Sequence, residues 1–271
     1  MKGLQKALQN SIIKERKIYK RRLTDIYLEK ATIAYGCDGY YSEGCLNCIA
    51  ALSAQRQNGR EEVRIYEEHD LLCNKNGKTM FSGKHYTDFT PLTKLAKGGS
   101  GQIMVSYMAE IAEWPVLFFV SLFHYVNNMN SYDFNLITKD PETLLLKYEE
   151  ACDILKEFNV YPNKMRNLHI TVSVELEKYK HRIDTLRKFD VFNKHLYAKP
   201  LLGDLGKLNL DGIDSVHIST ELAYKPRKCE KDWIINIVRQ CKQQGIFYTL
   251  DKVGKCAIED IKRDSRLRIV K

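Results

Sequence analysis

Short apolar runs alternate with longer amphipathic stretches along most of the chain. Ile103–Ser106, Phe134–Thr138, Leu168–Val174, His195–Ala198, Ser215–Ser219 and Ile246–Leu250 have the length and residue types of buried strands. Between most of them lie stretches with apolar residues at helical spacing: Val116–Asn127, Pro141–Phe158, Leu176–Phe189 and Lys231–Gln244. Pro141 suits a first helical turn, where its missing N–H costs nothing, and Gly245 suits a helix stop. Strand and helix in alternation predict βαβ units around a parallel sheet. Ala31–Tyr35 reads as a first strand and Val63–Tyr66 as a further one. The expected architecture is a single, partial TIM-like β/α barrel of six to eight parallel strands, in the α/β class.

The flanks read differently. Leu4, Leu8, Ile12, Ile13, Tyr19, Leu23, Ile26 and Tyr27 recur at roughly helical spacing, which predicts a basic N-terminal helix over 1–30. The barrel is expected over 31–254, with 60–100 as an irregular insertion and 255–271 as a basic tail. Asn47–Gln57 reads as a helix ended near Asn58-Gly59, and Asn74-Lys75-Asn76-Gly77 as the turn of a hairpin. Lys97–Gly101 precedes a strand instead of following one, so it reads as a plain loop and not a phosphate cradle.

Charge sharpens this division. Of 43 Lys and Arg against 34 Asp and Glu, residues 1–30 hold nine basic and three acidic, and residues 252–271 hold seven and three. The body between is close to neutral. Basic ends suit a polyanion such as nucleic acid, and equally a solvated helix and a frayed tail. No apolar run is long enough for a membrane span, and the first residues lack the apolar core of a secretory signal. The expected location is cytoplasmic, in a bacterium or a phage-infected host, with no membrane partner. Eight cysteines in a reducing compartment point to metal before disulfides.

The sharpest local signal is Cys37-x7-Cys45-x2-Cys48, running from the end of a strand into a helix. Gly36, Gly39 and Gly44 allow that loop to fold back so that three sulfurs converge. Three thiolates together call for a cation. A zinc site would take Cys73 or His69 as its fourth ligand. A [4Fe–4S] cluster held by three cysteines would leave one iron open. Cys73, Cys152, Cys229, Cys241 and Cys256 are otherwise scattered, as core residues are.

Several further segments fall in step with this loop: Leu136–Glu142, Leu168–Glu175, Ala198–Gly203 and Ser219–Leu222. Together with Gly36–Cys48 they resemble the phage Gp37/Gp68-like proteins, also called the domain of unknown function 5131 family, relatives of radical S-adenosylmethionine (SAM) enzymes. The similarity covers roughly 31–254. It implies a radical-SAM-like barrel in which Cys37, Cys45 and Cys48 hold three irons and SAM chelates the fourth. It also implies reductive cleavage of SAM to a 5′-deoxyadenosyl radical, a reductant protein as partner and, by analogy with repair enzymes of that type, a nucleic acid or nucleotide substrate. The chain departs from the pattern in places. The first cysteine gap is seven residues where the classical spacing has three. Lys199 stands where relatives carry Glu, and Asp251 where they carry Lys, which predicts an exchanged ion pair Lys199–Asp251. The paired glycines that relatives carry near Glu221 are absent.

Ser106, Thr138, Lys139, Glu175, Lys199 and Glu221 lie at the predicted strand ends, where barrel chemistry gathers. Glu175 and Glu221 suit the ribose hydroxyls or amino group of SAM, and Lys139 suits a carboxylate or phosphate. Helix N-terminal charges or structural ion pairs are the competing roles. His169, His195 and His217 fall inside strand runs, where hydrogen-bonded core histidines are expected. Tyr35, Tyr40, Tyr41, Tyr86, Tyr107 and Phe123 are candidates for an aromatic platform. The alternative to an enzyme is an accessory module that binds nucleic acid or a host protein and carries a structural zinc or iron–sulfur site.

Overall fold

The computed structural model describes residues 28–29, 32–56, 61–105, 108–222 and 225–251. In chain order the elements are β1 (Leu28–Glu29), β2 (Ala34–Gly36), α1 (Ile49–Arg56), α2 (Glu61–Glu68), β3 (Leu72–Lys75), β4 (Lys78–Phe81), β5 (Tyr86–Thr87), α3 (Thr90–Leu95), β6 (Gly101–Met104) and β7 (Met108–Ala109). They continue as α4 (Val116–Asn128), β8 (Tyr132–Thr138), α5 (Pro141–Lys156), β9 (Leu168–Ser173), α6 (His181–Lys188), β10 (Asn193–Ala198), β11 (Ser215–Ser219), α7 (Lys231–Gln243) and β12 (Phe247–Asp251).

Strands β6, β8, β9, β10, β11 and β12 lie side by side in sequence order, every neighbouring pair parallel. They form a parallel half-barrel, extended at the β6 edge by the two-residue β1. Among the described residues β1 and β12 are the two edges of this sheet. Helices cross over from β6 to β8, β8 to β9, β9 to β10 and β11 to β12. The β10–β11 connection has no helix. Leu201, Leu205, Leu208, Leu210 and Ile213 bury themselves there instead, and Gln240 of α7 and Gln244 just past its end hold its backbone.

Alternation along each strand separates two faces. Phe134, Leu136, Ile170, Val172, Leu196, Val216 and Ile218 pack with helix residues such as Phe119, Leu144, Leu186 and Ile237 in the main core. The opposite face carries His169, Thr171, Ser173, His195, Ser215, His217 and Thr249. Helix α5 opens on Pro141 as expected, and Asp140 caps it, its Oδ1 accepting from the Thr143 N–H at 3.1 Å.

Several expectations are corrected. Val63–Tyr66 belongs to helix α2, because a four-residue run of alternating type is too short to specify a strand among helix-favouring Glu and Arg. Ala31–Tyr35 is not a strand of the main sheet. Leu28–Glu29 takes that place, the Ile33 N–H still reaches the Val105 carbonyl, and the chain then diverges so that β2 pairs with β5 and β7. Leu28–Glu29 is also strand where the N-terminal helix was expected to continue; residues 1–27 lie outside the described residues, as do 252–271. The 60–100 insertion is ordered into α2, the predicted hairpin β3–β4, β5 and α3. Phe123 sits in the main core, far from any platform role, packed on Phe119 and Tyr148.

Candidate functional site

A cavity of about 810 Å³ opens at the C-terminal ends of the parallel strands. Its wall includes Cys37, Cys45 and Cys48 together with Thr138, Lys139, Lys199 and Glu221. Ligand sites of parallel sheets lie at such strand ends, because the chain leaves each strand there in a loop free to carry polar groups. Ser106 lies outside the described residues. Glu175 does not border the cavity; it stands behind the cysteine loop with none of its surface exposed.

The loop 36–48 is held by charge. Gly36 has φ +100°, and a Cβ there would sit 2.0 Å from the Lys84 carbonyl oxygen, so only glycine fits. Ser42 Oγ donates to Glu175 Oε1 at 2.6 Å, and Lys139 Nζ lies 2.7 Å from the same oxygen. Arg182 spans the junction, donating to Glu175 Oε2 at 3.3 Å, to the Ser173 carbonyl and to the Tyr41 carbonyl. Glu43 at the head of the following turn pairs with Lys178 and Tyr179. Gly44 leaves room for this arrangement, since a Cβ there would meet both Glu175 Oε1 and Lys139 Nζ at 2.9 Å. Glu175 thus joins Ser42, Lys139 and Arg182 behind the loop.

The surroundings of the sulfurs differ. Lys139 Nζ lies 3.6 Å from Cys45 Sγ. Burial disfavours the Lys139 ammonium, but the Glu175 carboxylate and the Cys45 sulfur outweigh it and hold its pKa above the ordinary lysine value. Burial pushes the Cys48 thiol up, with the neighbouring Cys45 adding to the effect. Cys37 turns toward Glu113, its Sγ 3.4 Å from Oε1 and accepting from the Gly39 N–H. Burial first, then Glu113, raises that thiol well above the usual range. Among the described residues the cysteines from 37 to 241 are all free of disulfides.

Glu113 and Glu110 are the acidic residues that the sequence reading missed. Glu113 accepts from the Asp38 N–H at 2.9 Å and from Tyr41 Oη at 2.5 Å, and pairs with His85 Nε2 at 2.5 Å. Asp38, His85 and Glu113 bring one ligand atom each within 4.8 Å of one another. Glu110 borders the cavity, fully buried. Thr138 Oγ1 donates to its Oε1 at 2.5 Å, and the Lys139 and Ala112 N–H groups also donate to it. Burial pushes its pKa up to about 7 against those donors. Both glutamates sit in the apolar stretch around Ile111–Val116, where an isolated carboxylate was the one available signal.

The remaining predicted residues stand as follows. Lys199 and Asp251 form the anticipated ion pair at the mouth. Both are partly exposed, so its contribution to stability is at most about 1 kcal/mol. Glu221 accepts from Arg227 and from Asn47 Nδ2; burial opposes its ionisation, and Arg227 more than compensates, lowering its pKa. Cys73 and His69, the candidate fourth zinc ligands, lie off the cavity: Cys73 Sγ faces the Phe81 carbonyl, and His69 stacks on Tyr86. Among the described residues no helix is long and apolar enough to cross a membrane.

No curated protein matches the chain. No solved structure matches it either. A family model described as "Protein of unknown function (DUF5131)" matches residues 27–268, a span that takes in the half-barrel, the cysteine loop and the cavity wall, and the chain accordingly belongs to the DUF5131 family.

Proposed function

We propose that the protein is an iron–sulfur enzyme of radical SAM type. Cys37, Cys45 and Cys48 would hold a [4Fe–4S] cluster, SAM would bind beside it, and a nucleic acid or nucleotide would be the substrate. The observation that carries this reading is the placement of three cysteines free of disulfides on the wall of one cavity, at the C-terminal ends of a parallel half-barrel. Three sulfurs are the donor set such a group takes, and the Lys139 ammonium beside Cys45 supplies a counter-charge, while Cys37 turns its sulfur toward Glu113. When bound, the cluster and SAM would supply one-electron cleavage to a 5′-deoxyadenosyl radical. The chain's own residues orient and exclude. Arg182, Glu175 and Ser42 fix the loop. Thr138, Lys199 and Glu221 present polar groups to a ligand's amino, carboxylate or hydroxyl groups. The basic ends would add affinity for a polyanion.

A second reading has one observation in its favour. Asp38, His85 and Glu113 converge beside Cys37, a mixed oxygen, nitrogen and sulfur set suited to a single structural zinc. The chain would then be a binding module.

Anaerobic reconstitution separates the two. The enzyme reading expects brown protein with about four irons per chain and dithionite-dependent formation of 5′-deoxyadenosine from SAM. Cys45→Ala should remove both. Colourless protein with one zinc, or turnover that survives in Cys45→Ala, overturns it. A chain lacking residues 1–27, which keeps β1, should bind single-stranded nucleic acid with a shallower dependence on salt, by about 0.7 in log–log slope per lost phosphate contact; an unchanged slope removes the N-terminus from the interface.

A further inference from the structure

Six polar side chains form one line across five strands on the concave face. Asp133 Oδ1 of β8 lies 3.7 Å from His169 Nε2 of β9. His169 Nδ1 is 2.8 Å from His195 Nε2 of β10, and His195 Nδ1 is 2.7 Å from Ser215 Oγ of β11. Ser215 Oγ is 2.9 Å from His217 Nε2, and His217 Nδ1 is 2.8 Å from Thr249 Oγ1 of β12. Register produces the line, because His195 pairs with Ser215, and His217 with Thr249, on neighbouring strands. The two ends reach different places. His217 and Thr249 border the cavity, whereas Asp133 near the start of β8 is 21% exposed. His169, His195 and Ser215 between them are buried.

We propose that this line is a proton relay, exchanging protons between a ligand group at the Thr249 and His217 wall of the cavity and solvent at Asp133. Each interior member is amphoteric: a neutral imidazole has one N–H and one acceptor nitrogen, and a hydroxyl can donate and accept at once. One proton per gap satisfies every link in either of two polarities. With the Asp133 carboxylate at one end, the favoured polarity places the imidazole protons on Nε2 of His169, His195 and His217, and Thr249 donates to His217 Nδ1. A ligand proton arriving at Thr249 Oγ1 pushes the Thr249 proton to His217 Nδ1. The His217 Nε2 proton then passes to Ser215, the Ser215 proton to His195 Nδ1, and the His195 Nε2 proton to His169 Nδ1. The His169 Nε2 proton leaves toward Asp133, across a gap that a small side-chain shift or one water closes. One proton enters and one leaves, every imidazole ends neutral with the opposite polarity, and a returning proton resets the line.

Burial supports the neutral forms. It lowers the His195 imidazole well below its ordinary value. It brings His217 to about 4, with the Lys199 ammonium adding to the effect and Asp251 opposing it. Nearby Thr171, whose hydroxyl donates to the Asn135 amide oxygen at 2.6 Å, shows what a purely structural pair on this face looks like; an amide does not pass protons on at neutral pH. The relay is independent of what the cysteines hold.

The test uses the full chain labelled with ¹⁵N-histidine, with tautomers read from long-range ¹H–¹⁵N correlations. The expectation is Nε2–H at His169, His195 and His217 at pH 7. Asp133→Asn, isosteric but uncharged, should raise the Nδ1–H fraction of His217, four links away, by roughly threefold or more. In a Ser215→Ala background the same substitution should move His169 and His195 but leave His217 where it was. An unmoved His217 in Asp133→Asn, or a His217 that still responds without the Ser215 hydroxyl, overturns the relay and leaves a set of independent structural contacts.

Discussion

Replacing Glu175 by Ala should cost the fold about 3–5 kcal/mol, seen as a lower urea midpoint at unchanged slope. The carboxylate is wholly buried and is approached by Lys139, Arg182 and Ser42, with Arg182 almost as deeply buried. Removing one partner of a buried ion cluster leaves the others desolvated and unmatched, and that penalty exceeds anything the pair contributes by attraction. The effect should also be local. Arg182 and Lys139 connect Glu175 to the Tyr41 carbonyl and to Ser42, so the freed loop should expose Cys45 to faster alkylation, measurable by mass spectrometry. If the Ala variant fails to accumulate, Glu175→Gln keeps the volume and one accepting oxygen and should show about half the loss. A cost below about 1 kcal/mol, with unaltered alkylation, would show that the loop is held by something else.

The second large effect is a pH dependence centred on Glu110. Its folded pKa of about 7 lies above the ordinary 4.5, so between these values the folded state keeps a proton that the unfolded state has released. Stability therefore falls as pH rises through this window and levels off above it. The total is about 3 kcal/mol, at roughly 1.4 kcal/mol per unit. The buried histidines tilt the other way. With His217 brought to about 4, the unfolded state binds more protons between about 4 and the ordinary 6.5, and stability rises with pH there. The two slopes overlap, so the difference between wild type and Glu110→Gln is the informative quantity. Urea unfolding at pH 5 and pH 8 should find the variant gaining about 2.5 kcal/mol on the wild type at the higher pH. A pH-independent difference would place the Glu110 proton elsewhere. The same near-neutral carboxyl on a cavity wall is also equipped to trade a proton with a bound ligand.

The order of strands and helices after residue 100 was legible because each element buries one apolar face, and periods of 2 and 3.6 record that directly. The hairpin and the Lys199–Asp251 pair were legible too, one from turn residues and the other from a matched departure in charge. The first strand was not. Leu28–Glu29 pairs over two residues only, and nothing in so short a stretch separates it from the end of a helix. Glu110 and Glu113 were missed because their significance lies in burial, which composition does not record. The polar concave face was hidden for a related reason: His169, His195 and His217 looked like isolated core histidines within three separate strands.

By itself, then, the chain determined which segments are strands and helices, that the strands run parallel, and that three cysteines share one glycine-bearing loop. Tertiary structure alone decided that Glu175 faces the loop and not the cavity, and that the histidines meet. The physical reason is range. Periodicity and turn chemistry act between residues a few positions apart, whereas register across a parallel sheet joins residues separated by a whole helix and its loops, as His169 and His195 are.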